Sequence, residues 1–438
     1  MNAESVKPNS ILIKNGMLLT MNPEREILSA DILIEDDRIS QIGRIETQAT
    51  TIIDATDKLV MPGFVQTHTH LCQTLFRNQA DDLSLLDWLQ QKIWPMEAAH
   101  TEQSITLSAN LGIAELFRCG TTTIMDMGTV HHTDAIFKAA EKTGIRAIIG
   151  KALMDAGNGI PVSLSESTRD ALDEVNRLIK DWHGVANGRL QFALTPRFLI
   201  SCSNELMLEL KILSFENNLI VHSHASESVY ETKIINEITG TGNIEAFCDL
   251  GLTGPRLCLA HCIWISDDEM ELLARTGTKV MHCPSANMKL ASGIAHVPEM
   301  LEKGIAVSLG ADGAPCNNNM DIFMEMRLAA FIQKVRLQDP KALPAQKVVE
   351  MATIDGAKVV GLEKEIGSLE VGKKADIILL NLNTIHTQPV TNPYAQLVYS
   401  ARPENVQTVI VDGKVVMKDR ELLTVDEGEV LRKVTKMS

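Results

Sequence analysis

Apolar strand-like runs alternate with longer helical patterns through the middle of this sequence. The strand candidates are, in order, GFVQTHTH, TTTIMDM, RAIIGKALM, LQFALTPRF, LIVHSHASE, LCLAHCIWI, KVMHCP and AVSLGADGA. Helical patterns such as SITLSANLGIAELFRCG and TRDALDEVNRLIKDWH lie between most of them. Eight such units predict an α/β fold of the (β/α)₈ barrel type, in which functional side chains lie at the carboxyl ends of the strands. A doubly wound sheet is the rival, but no strand is followed by G-x-G-x-x-G.

The two ends of the chain have a different sequence pattern from the middle. Short β-branched or aliphatic runs with turn residues between them fill roughly the first sixty residues and return after about residue 365. Asp412 and Gly413 form a hairpin signal between two of the later runs. We therefore expect one small β-domain built from residues 1–61 and 366–438, beside a barrel of residues 62–365.

The charge balance excludes some classes of partner. The 438 residues contain 41 Lys and Arg against 56 Asp and Glu, which gives a formal net charge of −15. A negative protein repels phosphate backbones and anionic membrane surfaces. We expect neither a nucleic acid nor a membrane as partner.

Other features bear on location. No run approaches the 18 apolar residues of a membrane span, and the first residues, MNAESVKPNS, lack the pattern of a secretory signal. The eight cysteines are scattered without a C-x-x-C pair, which fits reduced thiols. We expect a cytoplasmic protein.

Ionisable residues recur where the predicted barrel strands end. His68 and His70 alternate, so both imidazoles face one side of their strand. Later strands end in His222, His224 and Glu227, in His261, and in Asp312 before a Gly-rich turn. Hydrogen-bonded structural histidines are one interpretation. A shared cation is the other, because it would give several buried imidazoles a partner at once.

The segments PGFVQTHTH, HSHASE, LAHC and SLGADGAPCNNN, in this order, resemble the amidohydrolase superfamily in its cytosine-deaminase-like branch. The resemblance spans almost the whole chain and implies a metal-bearing barrel beside a small β-sandwich. It makes His68, His70, His224 and Asp312 the ligands of one divalent ion. This donor set suits zinc, with ferrous iron as the alternative. His222 is expected to lie behind the ligands.

The same resemblance implies hydrolytic deamination of an electron-poor ring carbon. A divalent ion activates water for such an attack, and a nearby carboxyl group must move the protons. Glu227 matches the proton shuttle of the family. Asp312 would also accept a proton, and His261 would orient the attacking water and stabilise developing charge.

The substrate is less constrained than the reaction. Trp88, Trp94 and Glu97 lie on a segment expected to cover the barrel mouth. Their W-P-x-E pattern resembles deaminases of 5'-methylthioadenosine and S-adenosylhomocysteine, in which the Glu corresponds to a ribose ligand. We therefore expect an adenosine-type nucleoside, with 5'-deoxyadenosine and adenosine as further candidates, and count Trp94 and Glu97 as substrate contacts.

Three further candidate contacts favour a different substrate. Gln73, Lys151 and Arg197 resemble the corresponding positions of guanine deaminases. The alternative activity is a guanine or 8-oxoguanine deaminase, or a triazine aminohydrolase or chlorohydrolase. A non-catalytic binding protein and a two-metal cyclic amidase are the other classes. The resemblance also implies a homo-oligomer, either a dimer or a tetramer.

Overall fold

A computed structural model describes residues 9–437 of the chain. The described part of the chain begins with five strands, as the β-rich pattern of its first sixty residues predicts. They are β1 (Ser10–Leu19), β2 (Ile27–Glu35), β3 (Arg38–Gly43), β4 (Thr51–Asp54) and β5 (Lys58–Pro62).

Eight parallel strands follow and form the barrel that the sequence predicts. They are β6 (Phe64–Thr69), β7 (Thr121–Asp126), β8 (Arg146–Leu153), β9 (Leu190–Pro196), β10 (Val221–Ala225), β11 (Leu257–His261), β12 (Lys279–His282) and β13 (Val307–Leu309). Each strand pairs with the next in sequence order. Strand β6 meets the other end of the sheet, because the Asp312 amide donates to the His68 carbonyl at 3.1 Å. All eight strand candidates are confirmed, and the sheet is a nearly closed barrel.

Helices connect and surround these strands. Helix α5 shows why they form, since Ser167 caps its first turn and Ala171, Val175 and Leu178 bury one face at helical spacing. In chain order the helices are α1 (Leu85–Trp88), α2 (Trp94–Ala98), α3 (Glu102–Arg118), α4 (Thr133–Thr143), α5 (Thr168–Trp182), α6 (Asn204–Glu216), α7 (Val229–Thr239), α8 (Asn243–Asp249), α9 (Asp267–Thr276), α10 (Pro284–Lys289), α11 (Val297–Glu302), α12 (Ala314–Asn317), α13 (Ile322–Leu337), α14 (Ala345–Met351), α15 (Ile354–Val359), α16 (Pro393–Ala395) and α17 (Glu427–Met437).

Short segments of other helical types complete the path. A π-helical turn, Leu89–Ile93, joins α1 to α2, and another, Gln396–Ser400, follows α16. The 3₁₀ turns are Leu71–Phe76, Val162–Leu164, Leu199–Ser201 and Pro403–Asn405. None of the helices in residues 9–437 has both the length and the apolar character needed to cross a membrane.

The last strands join the same sheet as the first ones, as the similar sequence patterns of the two chain ends predict. They are β14 (Ile377–Asn381), β15 (Val406–Val411), β16 (Lys414–Lys418) and β17 (Glu421–Leu422). Strand β14 pairs antiparallel with β5, so one nine-stranded sheet joins both ends of the chain. Asp412 and Gly413 form the predicted hairpin, both with positive φ. The domain boundaries at 61/62 and 365/366 stay a prediction.

Buried ion pairs connect the barrel to this terminal sheet. Arg146 on β8 donates two hydrogen bonds to Asp376, at 2.7 and 3.0 Å, and one to Asp412 at 2.8 Å. Two carboxylates from the terminal sheet therefore neutralise a guanidinium that the barrel buries. The contact fixes the sheet against the strand ends opposite those that carry the candidate site.

Candidate metal centre and active site

Four of the residues identified from the sequence meet at the carboxyl end of the barrel. His68 and His70 lie at the end of β6, His224 on β10 and Asp312 just after β13. One potential ligand atom from each lies within 4.8 Å of the others, and all four side chains are buried. We call these four residues the ligand cluster. Residues separated by almost 250 positions meet here because parallel barrel strands bring their carboxyl ends together.

The spacing within the ligand cluster suits a small cation. The Nε2 atoms of His68 and His70 each lie 3.3 Å from Asp312 Oδ1, and the Nε2 atoms of His70 and His224 are also 3.3 Å apart. Ligand atoms around a tetrahedral ion with bonds of about 2.0 Å would be about 3.3 Å apart. The three imidazoles and one carboxylate therefore fit a divalent transition metal in both chemistry and separation.

The protonation states also suit metal binding. Burial lowers the pKa of His68, although its hydrogen bond to Asp312 opposes that shift. Burial holds the pKa values of His70 and His224 well below the usual histidine range. Burial opposes ionisation of Asp312, but its hydrogen bond to His68 and the neighbouring imidazoles hold its pKa well below normal. Neutral imidazoles beside an ionised carboxylate are the forms that ligate cations.

Hydrogen bonds from behind orient two of these imidazoles. His68 Nδ1 and His222 Nε2 are 2.7 Å apart, which places His222 where the sequence analysis expects it. His224 Nδ1 donates to the Arg197 carbonyl at 2.6 Å. Such contacts leave the Nε2 atom of each ring facing the cluster. His282, at the end of β12, hydrogen-bonds through neither ring nitrogen to any residue that the structure describes.

Glu227 and His261 lie beside the ligand cluster. His261 Nε2 is 3.6 Å from Glu227 Oε2 and 3.9 Å from Asp312 Oδ2, and both residues are buried. Burial, reinforced by the charge of Asp312, raises the pKa of Glu227 well above its usual value. A raised pKa favours the protonated carboxyl group, which is the form that can donate a proton to a substrate.

The backbone is unusual at three of these strand ends. Ser226, His261 and Asp312 have φ angles of 52°, 73° and 64°. The left-handed region is costly for residues other than glycine and clusters at functional sites. At each position the chain turns sharply as the strand ends, which directs Glu227, His261 and Asp312 towards a common point.

A cavity adjoins the cluster, and the empty space in it, counted together with the solvent at its mouth, is about 490 Å³. Its polar lining includes Gln73, Arg197, His224, Glu227 and Asp312. Its apolar lining comes largely from the segment around α1, namely Leu85, Leu86, Trp88 and Leu89, together with Phe198 and Leu290.

Three of the residues predicted to contact the substrate hydrogen-bond to one another. Arg197 donates to Glu97 Oε2 at 2.6 Å and to Glu97 Oε1 at 3.2 Å, and Gln73 Nε2 donates to Glu97 Oε1 at 2.8 Å. We call Gln73, Glu97 and Arg197 the recognition arm. All three are buried. Of the three, Gln73 and Arg197 line the cavity.

Two other predicted contacts lie elsewhere. The Lys151 ammonium is buried, donates to Glu166 Oε2 at 2.6 Å and to the Val130 carbonyl, and is not among the described residues that line the cavity. Trp94 packs in the apolar cluster beneath α1 and α2 and is likewise outside that lining. Trp88, in contrast, lines the cavity. Contact of Lys151 or Trp94 with a substrate stays a prediction.

The sequence analysis missed several buried polar residues around the site. Glu231 accepts from the Glu227 amide at 2.7 Å, and Asn287 accepts from His261 Nδ1 at 2.8 Å. Glu325 on α13 accepts from the Ser285 amide at 3.1 Å. Glu231 follows Glu227 by one helical turn, which is a signal that a search of the sequence could have used. Nothing local marks Asn287 or Glu325.

Comparison with known proteins agrees with the geometry of the fold and of the site. Residues 59–416 match the Amidohydrolase family. A solved structure of an adenosine deaminase from Xanthomonas campestris with bound zinc superimposes with a TM-score of 0.93 at 28% identity, and covers 98% of both chains. The shared architecture therefore includes the terminal sheet as well as the barrel.

Two curated proteins are more similar in sequence. A 5'-deoxyadenosine deaminase from Methanothermobacter thermautotrophicus is 41% identical over 95% of this chain and 97% of its own length. A 5-methylthioadenosine/S-adenosylhomocysteine deaminase from Syntrophomonas wolfei is 39% identical over 97% of each chain. Because the family match spans most of the sequence and these relatives align along nearly all of it, the chain belongs to the amidohydrolase family.

Proposed function

We propose that this protein is a metal-dependent hydrolytic deaminase of adenosine-type nucleosides. The candidates are 5'-deoxyadenosine, 5'-methylthioadenosine, S-adenosylhomocysteine and adenosine. The observation that carries the proposal is the ligand cluster, with its four ligand atoms within 4.8 Å, beside the buried carboxyl group of Glu227, whose pKa is raised. The substrates named for two curated relatives point to the same class.

We assign the ligand cluster to one divalent ion. Zinc is our first choice because three imidazoles and one carboxylate are common zinc donors, and ferrous iron is the alternative. The ion, when bound, supplies Lewis-acid activation of water. The residues behind the cluster hold the rings in place, with His222 against His68 and the Arg197 carbonyl against His224.

Glu227 moves the protons of the reaction in this proposal. Water adds to the ring carbon that bears the amino group, the carbon–nitrogen bond breaks, and ammonia leaves. Glu227 protonates the ring nitrogen. As the carbonyl forms, the water loses both of its protons, of which one passes to the departing amine and the other restores the Glu227 carboxyl group. His261 lies between Glu227 and Asp312, where it can orient the attacking water and stabilise charge on the adduct.

The rest of the cavity favours a substrate with an apolar portion beside the reacting base. The apolar side chains around α1 face this space, together with Phe198 and Leu290. The recognition arm provides the polar contacts at the same cavity. Because Gln73 and Arg197 could equally read a free purine, a guanine-type base is the second candidate substrate.

Ammonia release measured across a substrate panel tests the proposal. The panel contains the four nucleosides, guanine, 8-oxoguanine and an aminated triazine, together with a chlorotriazine for which chloride release is measured instead, each incubated with the zinc-loaded and the ferrous protein. We expect kcat/KM to be highest for an adenosine-type nucleoside. A protein that releases ammonia only from guanine-type bases would establish the alternative, and release from none would contradict the deaminase assignment.

Assembly and location are separate proposals. We expect a homo-oligomer, either a dimer or a tetramer, that works in the cytoplasm. Analytical ultracentrifugation at micromolar concentration tests the first, with a monomer as the contrary result. Fractionation of the source cells tests the second.

A further inference from the structure

The three imidazoles of the ligand cluster are not all held in the same way. His68 and His224 each hydrogen-bond through Nδ1 to a group behind the cluster. The His70 ring contacts polar groups of the described residues only through Nε2, which faces the cluster. A metal-binding imidazole is usually oriented by a partner at its other nitrogen. The orientation of His70 therefore depends more on its backbone than that of the other two rings.

Asp126 fixes the backbone on both sides of His70. It is the last residue of β7, and it is fully buried. Its Oδ1 atom accepts from the Leu71 amide at 2.7 Å and from the Thr69 hydroxyl at 3.2 Å. That hydroxyl also lies 3.3 Å from the Met125 carbonyl oxygen. Because Thr69 and Leu71 are the sequence neighbours of His70, one carboxylate oxygen spans the position of this ligand.

The second oxygen of Asp126 ties the same turn to the loop after β7. Oδ2 accepts from the Gly128 amide at 2.9 Å. Gly128 has a φ angle of 78°, and a Cβ atom there would lie 1.8 Å from the Gly150 carbonyl oxygen, so only glycine allows the loop to turn at this point. The carboxylate therefore bridges two loops at the carboxyl end of the barrel, one of which begins at His70.

The groups that face this carboxylate carry no positive charge of their own. They are two backbone amides and one hydroxyl, and the charged groups that act on Asp126 in the described residues include no lysine or arginine. Burial raises the pKa of Asp126 to about 6, against the lowering effect of these hydrogen bonds. A buried carboxylate without a cationic partner is costly, and such groups cluster at functional sites. This cost indicates a task beyond closing a loop.

We propose that Asp126 is a positioning residue for His70 and orients this ligand through the backbone, in place of a hydrogen bond to the ring. Asp126 keeps Thr69 and Leu71 in the turn that directs His70 Nε2 at the cluster, 3.3 Å from Asp312 Oδ1. The inference rests on the metal site of the proposed function, and it gives a role to a buried carboxylate that the proposed reaction does not use.

Zinc affinity measures this role without reference to turnover. Asp126→Ala removes both acceptor oxygens, and we expect the zinc Kd, measured by competition with a chelator, to rise about tenfold to a hundredfold, the range for changes behind metal ligands. Asp126→Asn keeps one acceptor for the Leu71 amide and should restore the Kd to within about threefold of the native value. An unchanged Kd in Asp126→Ala would overturn the proposal. An Asn variant as weak as the Ala variant would also overturn it, because the charge and not the hydrogen bonds would then support the site.

A matched truncation separates positioning from general stability. Asp31 on β2 is likewise buried and accepts from two backbone amides, those of Asn15 and Ile45, at 2.9 and 3.2 Å. Asp31→Ala should lower the urea midpoint of unfolding but leave the zinc Kd within about twofold of native. Glu102→Gln, an exposed change at the start of α3, should alter neither quantity. Equal losses of zinc affinity in Asp31→Ala and Asp126→Ala would contradict the positioning role.

A milder variant decides the matter if Asp126→Ala does not fold. Thr69→Val keeps the shape of the side chain and removes only the hydroxyl that Asp126 accepts from. We expect the zinc Kd to rise about two- to fivefold, as for the loss of one neutral hydrogen bond. Unchanged zinc affinity in Thr69→Val would count against Asp126 as the residue that holds this turn.

A double-mutant cycle tests whether Asp126 acts through His70. His70→Ala removes that ligand and leaves the other three. In this background we expect Asp126→Ala to change the zinc Kd by less than about twofold, because the ring that it positions is gone. An equal loss in both backgrounds would show that Asp126 acts on other ligands, and would contradict the proposal.

Crystal structures of the native protein and of Asp126→Ala, each with and without zinc, give the most direct answer. We expect the His70 ring to move away from the cluster in the variant, while His68, His224 and Asp312 keep their places. A His70 ring in the native position would contradict the proposal. If the native protein binds no metal at the cluster, the proposed function fails, and the two metal-free structures still decide whether Asp126 positions His70.

Discussion

The ligand cluster lies on the ends of barrel strands, whereas the recognition arm joins connecting segments. Gln73 lies in the 3₁₀ turn after β6, Glu97 lies in α2, and Arg197 directly follows β9. Both groups bury ionisable side chains, but they satisfy them in different ways. The arm pairs a carboxylate with a guanidinium. The cluster places three neutral imidazoles around one carboxylate and suits an added cation.

This difference indicates how chemistry and specificity are divided in the molecule. The hydrogen bonds between the barrel strands hold the strand ends in place, so the cluster is preorganised for one reaction. Connecting segments change length and sequence without disturbing the barrel, so they are suited to substrate choice. Arg197 belongs to both groups, because its side chain binds Glu97 while its carbonyl orients His224.

The largest effect should follow a change in the ligand cluster. Asp312→Ala removes the one carboxylate of the cluster, and we expect kcat/KM to fall by at least about 10⁴-fold because Lewis-acid activation of water is lost. Metal content, measured by elemental analysis, should fall with it. Asp173→Ala on the exposed face of α5 is the control. Full turnover in Asp312→Ala would show that the cluster is not the reaction centre.

A change beside the cluster should separate proton transfer from metal binding. Glu227→Gln keeps the shape of the side chain but removes the carboxyl group, whose pKa burial raises. We expect kcat to fall roughly 100- to 1,000-fold, as for other general acids, with metal content unchanged. Stopped-flow and elemental analysis of the same preparation give both values. Loss of the metal in this variant would instead place Glu227 among the ligands.

Glu325 links the loops behind the cluster and should make stability depend on pH. Burial raises its pKa to about 8, against the lowering effect of the Ser285 hydrogen bonds and with a further increase from Asp321 and Asp312. The folded protein then binds more protons than the unfolded chain between pH 4.5 and about 8, so the free energy of unfolding falls as pH rises through that interval.

Glu325→Gln removes this titration. We expect the variant to lose less stability than the native protein between pH 5 and 8, by a few kcal/mol. Urea unfolding at several pH values measures the difference, and Glu102→Gln again serves as the matched control. Parallel pH profiles for native and variant protein would mean that Glu325 is not a protonated carboxyl group at neutral pH.

The smallest effect should come from the residue that orients His261. Asn287→Ala removes the acceptor for His261 Nδ1, 2.8 Å away. We expect kcat to fall about tenfold with KM nearly unchanged, because one hydrogen bond behind the reacting groups is lost. Asn236→Ala, on the exposed face of α7, should have no effect. A change in KM alone would place Asn287 in substrate binding.

Much of the fold and of the ligand cluster could be predicted from the sequence. Short apolar runs that end in His68, His70, His224 and Asp312 mark strand ends, and eight strands with helices between them specify where those ends meet. The two β-rich termini likewise indicate a joint sheet, because short strands need partners to bury one face.

The recognition arm could not be predicted in the same way. No local pattern indicates that Glu97 pairs with Arg197 across 100 positions, because that contact depends on how α2 packs over the barrel. The positive φ angles of Ser226, His261 and Asp312 are also invisible in the sequence, since none of these residues is a glycine. Lys151 is the opposite case. Its residue type and its place on a barrel strand made it a plausible substrate contact, but its ammonium is paired with Glu166 and does not line the cavity.

Anomalous diffraction from a crystal of the active protein, collected at the zinc and iron absorption edges, tests the central claim most directly. We predict one strong peak per chain at one of these edges, bounded by His68, His70, His224 and Asp312. Active protein with no peak among these residues, or with its metal bound elsewhere, would contradict the account.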